Sequence, residues 1–343
     1  MRFTPGRKKI TSIWLWLLLV IAFLVALSQF TPHTSRISSW TFERPLQKET
    51  PSDVVLVVAS QREDNTTWLQ SAFPDWEKVV FVTDDENAAN SVPANRGREA
   101  MVYLTFIIEH YDNLPRVAIF HHASEYQWHN DDPLFDGRRV LSRLQIPYVE
   151  QKGYVNLRCA WTLGCPAEIR PFDESDLNAV PTSPDARAGW FYKAAFEELF
   201  PEIPMPQVVG VSCCAQFAVT AERIRKRPRA DYERYRRWLL ETPLADSLSG
   251  RILEYSWHIM FGEEAVYCPN ASDCYCNLFG LCNIHCEDEG NCRSQYTLPK
   301  YSQLPSGWPD IDWDGTWRNI TELRTEQELD FAPRPSLASR QIR

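Results

Sequence analysis

Between positions 121 and 132 the chain carries His121, His122, Glu125, Trp128, His129, Asn130, Asp131 and Asp132. Imidazole and carboxylate groups in one short loop can hold a divalent cation such as Mn²⁺ or Mg²⁺, or supply a general base. His121, His122, His129 and Asp131 are the metal-ligand candidates. The same spacing also suits partly buried histidines with satisfied hydrogen bonds and a turn begun by Asp131 and Asp132, and spacing alone does not choose between the two.

Glu254 and His258 stand four apart, on one face of a helix, where a carboxylate orients an imidazole or a base reaches an acceptor hydroxyl. They are the candidate catalytic pair, with a structural hydrogen bond as the alternative. Arg62 and Asp64, just past an apolar strand-like run, suit a diphosphate and a ribose or base edge. Arg96, Arg98 and Glu99 follow Asn95 at a predicted helix start, where backbone N–H groups favour anions. Trp128, Trp161, Trp190 and Trp257 fall near these groups, and a flat indole such as that of Trp128 docks a sugar ring as readily as it fills a core. No Gly-rich phosphate loop, Gly-x-Ser-x-Gly elbow or His-Glu-x-x-His pair is present, which argues against the common nucleotide-hydrolase, esterase and zinc-protease classes.

These groups need elements to position them. Asp53 to Ala59 is a continuous β-branched run, as in a strand buried on both faces of a largely parallel sheet, and Lys78 to Thr83 is a second. A helical period capped by Asn95 aligns Met101, Leu104, Ile108 and Tyr111 on one face, and Val117 to Phe120 reads as a third strand. Ligand-binding loops of such sheets lie at the carboxyl ends of the strands, where the 61–64 and 121–132 groups fall. Further helices are predicted over 135–144, 186–199, 221–226, 231–240 and 249–261, with short strands at 208–211 and 214–219.

A run from Ile10 to Phe30 is apolar enough and long enough to span a bilayer, and Arg2, Arg7, Lys8 and Lys9 precede it. The positive-inside bias makes the chain a single-pass type II protein. Ala26 and Ser28 also fit a cleaved signal peptide, which leads to the same compartment. The expected organisation is a cytoplasmic tail (1–9), a signal-anchor (10–30), a polar stem (31–52), a lumenal α/β domain (53–265), a Cys-rich module (266–295) and a C-terminal extension (296–343) that loses order from Arg324.

Sequons at Asn65, Asn270 and Asn319 fit a secretory-pathway lumen. So do ten cysteines, which persist there as disulfides: Cys159, Cys165, Cys213, Cys214, Cys268, Cys274, Cys276, Cys282, Cys286 and Cys292. Cys159 and Cys165 are close enough to bridge each other, and the last six suggest three internal bridges. A net charge of −9 gives no reason to expect a nucleic acid partner.

Asn95-Arg-Gly-Arg-Glu-Ala100 with Tyr103-Leu104, the Phe120-His121 to Trp128-His129 loop, Gly153 to Cys159, Cys213 to Val219 and Glu254-Tyr-Ser-Trp-His258 together resemble a fungal family known as a domain of unknown function (DUF3431), over roughly Val54 to Gly262. That resemblance implies no activity. The order of these groups is also similar to the GT-A glycosyltransferase layout, which implies a nucleotide sugar at the carboxyl edge of the sheet and often Mn²⁺ on an Asp-x-Asp motif. No such motif follows the third strand here; His121 and His122 stand near its place. The leading expectation is a type II Golgi or ER membrane glycosyltransferase acting on a glycan or protein acceptor. A non-catalytic carbohydrate-binding surface or cell-wall protein and a lumenal metal-dependent hydrolase are the alternatives.

Overall fold

A computed structural model describes residues 53–173, 186–293 and 295–331. The tail, anchor and stem expected over 1–52 lie outside these residues. Among the described residues no helix is long and apolar enough to cross a membrane.

In chain order the elements are β1 (Val54–Ser60), α1 (Thr67–Ala72), β2 (Glu77–Val82), α2 (Glu99–Glu109), β3 (Val117–His122), α3 (Gly137–Arg143), α4 (Ile146–Lys152), β4 (Tyr154–Asn156) and α5 (Ala186–Leu199). They continue with β5 (Gly210–Val211), β6 (Phe217–Thr220), α6 (Ala221–Arg225), α7 (Arg229–Glu241), α8 (Asp246–Glu254), α9 (Trp257–Met260), β7 (Val266–Tyr267), α10 (Ala271–Phe279) and α11 (Ile320–Phe331).

The main sheet has the order β2-β1-β3-β6-β4. β1 pairs in parallel with β2 and β3, whereas β6 runs antiparallel to both β3 and β4. The sheet is therefore mixed, not largely parallel as expected. A short apolar run buried on both faces reads the same in either direction, so nothing in Phe217–Thr220 announces the reversal.

Side chains alternate across the sheet with the period of two that a pleated strand imposes. Val55, Val57, Ala118, Phe120, Phe217 and Val219 enter one core with α2, α5, α7, α8 and α9. Val54, Leu56, Val58, Val117, Ile119 and Ala218 enter a second with α1, α3, α4 and α10. Helices thus cover both faces, and α10 of the Cys-rich segment is one of the layers: Tyr275, Leu278 and Phe279 are buried under the sheet.

The expected helix 249–261 is two. Ser256 Oγ donates to the Ile252 carbonyl at 2.7 Å and Tyr192 Oη donates to the Tyr255 carbonyl at 2.9 Å. These side chains take acceptors that a continuous helix would use, and the ladder breaks between α8 and α9. Arg324, where the loss of order is expected to begin, lies within α11, and its guanidinium reaches Asp136 and Tyr126. Residues 332–343 are outside the described set.

All ten cysteines are bridged. The pairing differs from the expected one, because Cys159 joins Cys274 and Cys165 joins Cys268, across 115 and 103 residues. Only Cys276–Cys282 and Cys286–Cys292 close within the Cys-rich segment. The fifth bridge is vicinal, Cys213–Cys214.

Candidate functional site

A cavity of about 300 Å³ opens at the carboxyl ends of β1 and β3. Asp64 comes from the turn after β1, Arg98 and Glu99 from the start of α2, His122 and His129 from β3 and its following loop, and Glu254 from the last residue of α8; all six line it. Gln61, Asn95, Gln127 and Cys214 complete its polar wall.

Local structure explains how these side chains meet. Asp64 Oδ2 accepts from the Gln61 N–H at 2.8 Å, closing the turn that leaves β1. At the entry to α2, Gly97 and Arg98 both adopt positive φ, +64° and +56°. The glycine takes this freely, but for arginine it is a backbone state held by its surroundings. A Cβ at Gly97 would strike Leu239 of α7, so the tight approach of α7 also requires glycine there. Gly250 of α8 sits against the Gly97 carbonyl, where a Cβ would lie 3.0 Å from that oxygen. Glu254, one turn later on the same face of α8, is thereby directed toward Glu99.

The strand period separates the two adjacent histidines. His122 follows Phe120 on the cavity side, whereas His121 follows Ile119 into the opposite core, with its ring edge-on to Trp68 at 6.1 Å. His121 is completely buried, with Nδ1 2.8 Å from the His122 carbonyl and Nε2 without a protein partner. Burial lowers its pKa to about 3. Asp131, the fourth metal candidate, is also committed elsewhere: it accepts from the Cys159 and Ala160 N–H groups at 2.6 and 3.2 Å and from Tyr275 Oη at 2.7 Å.

Three further candidates act outside the cavity. Arg96 donates to the Thr242 and Leu244 carbonyls at 3.0 and 3.1 Å and pairs with Asp246, tying the α7–α8 connection to the start of α2. Arg62 is 61% exposed and pairs with Asp85 at 3.2 Å. His258 is buried in α9 with Nε2 3.0 Å from the Ala265 carbonyl, and burial lowers its pKa to about 4. The Trp128 ring packs beside His129, at 4.1 Å between centroids, rather than on the cavity wall. The asparagines of the three sequons are all exposed.

Within the cavity the electrostatics are those of a desolvated polar site. Burial lifts the Glu99 carboxyl to about 6, and it raises Glu254 too, opposed by the Arg251 guanidinium 3.5 Å away. Burial lowers His122 to about 4 and holds His129 well below the usual imidazole range. Both rings are therefore neutral at pH 7. Their Nδ1 atoms lie 3.1 Å apart, so one donates to the other, and His122 Nε2 is buried with no protein partner. Gln216 fixes this arrangement, donating to the His129 carbonyl at 3.1 Å and accepting from the His122 N–H at 3.3 Å.

A cation fits the imidazole pair in part. Each ring can give one nitrogen to an ion, the orphaned His122 Nε2 being one that the protein leaves free, and nitrogen ligands suit Mn²⁺ better than Mg²⁺, which prefers oxygen. The only group of three potential ligands closer than 4.8 Å among the described residues is Cys213, Cys214 and Glu254, whose sulfurs are bonded to each other.

Sequence reasoning did not single out Arg158, which is 2% exposed and donates to both sulfurs of the vicinal bridge and to the Trp128 carbonyl. Its signal was its place in the Gly153–Cys159 motif. Gln127 and Gln216 were missed because neutral amides carry no charge pattern.

No curated protein and no solved structure matches the chain. Residues 56–277 match the model of a family described as "Protein of unknown function (DUF3431)", a span that takes in every residue of the cavity, and the chain belongs to that family.

Proposed function

We propose that this chain is a glycosyltransferase-like enzyme of the secretory-pathway membrane, in the ER or Golgi, that moves a sugar from a nucleotide donor to a glycan or protein acceptor. The observation that carries the reading is the convergence of Asp64, Arg98, Glu99, His122, His129 and Glu254 on one cavity at the carboxyl ends of β1 and β3. That edge is where α/β sheets bind ligands.

In this reading Arg98, exposed at the rim beside the α2 N-terminus, meets the donor diphosphate, and Asp64 meets its ribose or base. Glu254 is the acceptor-side base, and its raised pKa suits proton abstraction near neutral pH. Glu99, ionising at about 6, adds negative charge beside it. His122 and His129 would be the residues that hold a Mn²⁺ ion. Bound there, the metal would offset charge on the leaving diphosphate.

The hydrolase alternative requires about three protein ligands and an open position, and the imidazole pair offers fewer. The test is transfer or hydrolysis of nucleotide sugars by the full chain, followed by mass spectrometry. Turnover should fall by roughly 100-fold or more in Glu254→Gln, and Mn²⁺ stimulation should vanish in His122→Ala. Wild-type rates in both variants would reject the assignment.

A further inference from the structure

Arg158 is a buried cation with no carboxylate in direct contact: among the described residues none forms an ion pair with its guanidinium within 4 Å. Asp131 feels its charge from farther away and spends its oxygens on two backbone N–H groups and Tyr275. The guanidinium instead stacks 3.7 Å from the Tyr296 ring centre and points Nη1 at both sulfurs of Cys213–Cys214, 3.1 Å from Cys214 Sγ. A disulfide is neutral and a weak acceptor, so it returns little for the burial of a charge. A thiolate in the same place would return much more.

The two sulfurs are not equivalent. Cys214 lines the cavity, whereas Cys213 lies behind it, against Arg158. Cys214 and Ala215 both hold positive φ, +91° and +49°, in a loop that presents the Cys214 N–H to Glu254. The remaining bridges have no arginine on their sulfurs among the described contacts.

We propose that Cys213–Cys214 is a covalent exchange site for a low-molecular-weight thiol of the glutathione class, an activity that goes beyond the glycosyltransferase reading and does not depend on it. The incoming thiolate enters the cavity and attacks Cys214 Sγ. A new bond forms between its sulfur and Cys214 Sγ, the Cys213–Cys214 bond breaks, and the electron pair leaves as a Cys213 thiolate stabilised by Arg158. Attack by that thiolate on Cys214 Sγ restores the bridge and expels the thiol. Alternatively a second thiol attacks the adduct, giving two reduced cysteines and one molecule of external disulfide. Either way atoms and electrons balance with thiol as the sole co-reactant. An adduct on Cys214 fills the cavity beside Glu254, so thiol exchange and ligand binding compete.

The experiment incubates the full chain with glutathione, traps free thiols with N-ethylmaleimide and maps peptides by mass spectrometry. The expected product carries glutathione on Cys214 and the maleimide on Cys213, and it forms roughly 10-fold more slowly in Arg158→Gln, where the leaving thiolate loses its cation. An adduct on Cys213, adducts confined to the Cys276–Cys282 or Cys286–Cys292 bridges of the Cys-rich segment, no adduct, or an unchanged rate in Arg158→Gln would each overturn the proposal. The wild-type map decides the matter by itself if that variant does not fold.

Discussion

Asp131 is buried and Glu254 half-buried, and the two carboxylates differ in where their hydrogen bonds go. Asp131 is surrounded by donors of the protein's own: burial raises its pKa, opposed by the Arg158 charge, the Tyr275 phenol and two N–H groups. Glu254 has the Cys214 N–H and Arg251, and faces the cavity. Tyr275→Phe should therefore cost about 1–3 kcal/mol in chemical denaturation while leaving ligand binding intact, because it strips a donor from a buried charge. Arg62→Ala, at a surface pair, should change neither. At this scale much of the site was legible, since six of the singled-out residues share the cavity. His121 was not separable from His122, because a shift of one position in a strand exchanges its faces. Arg158 was hidden for another reason: its partners lie 30 and 55 residues away.

Among the elements, α8 and α10 carry the most consequence. Gly250 lets α8 rest on the Gly97 carbonyl, and Glu254 is placed by that contact. Gly250→Ala gains about 1 kcal/mol of helix propensity, against about 1–3 kcal/mol for crowding a packed contact. Stability should change little, yet the helix must yield, so ligand affinity should drop by roughly 10-fold, a factor worth about 1.4 kcal/mol; calorimetry and thermal melting separate the two effects. The α10 layer is held by Cys159–Cys274. Replacing both cysteines with alanine should cost on the order of 2–5 kcal/mol, read from the denaturation midpoint. The strands and long helices were readable from periodicity and β-branched runs. The short α1, α4 and β4 were not, because six, seven and three residues give too little pattern, and α10 was obscured by its cysteines.

For the whole molecule, buried histidines set the response to acid. His121, His122 and His258 have pKa values of about 3, 4 and 4 when folded, against about 6.5 unfolded. Their contribution is present above that unfolded value and is lost progressively as pH falls from it toward the folded values, because over that range only the unfolded chain takes protons. Glu99 and Asp132, raised to about 6 by burial, act in the opposite sense, their contribution being lost as pH rises through 6. The three histidines outweigh the two acids between pH 7 and 5.5, so stability should fall across that window by on the order of 1–2 kcal/mol, visible as a lower melting temperature. The α/β class and the helices on both faces of the sheet could be read from the sequence; strand direction and cross-chain disulfide pairing could not, since both depend on partners distant in the chain. The central claim is a nucleotide-sugar site at the sheet edge, and calorimetric titration of the full chain with a panel of nucleotide sugars, with and without Mn²⁺, tests it most directly. Saturable binding of at least one donor is expected, weakened about 10-fold or more by Arg98→Ala through loss of a charged phosphate contact; no binding of any donor under either condition would rule the site out.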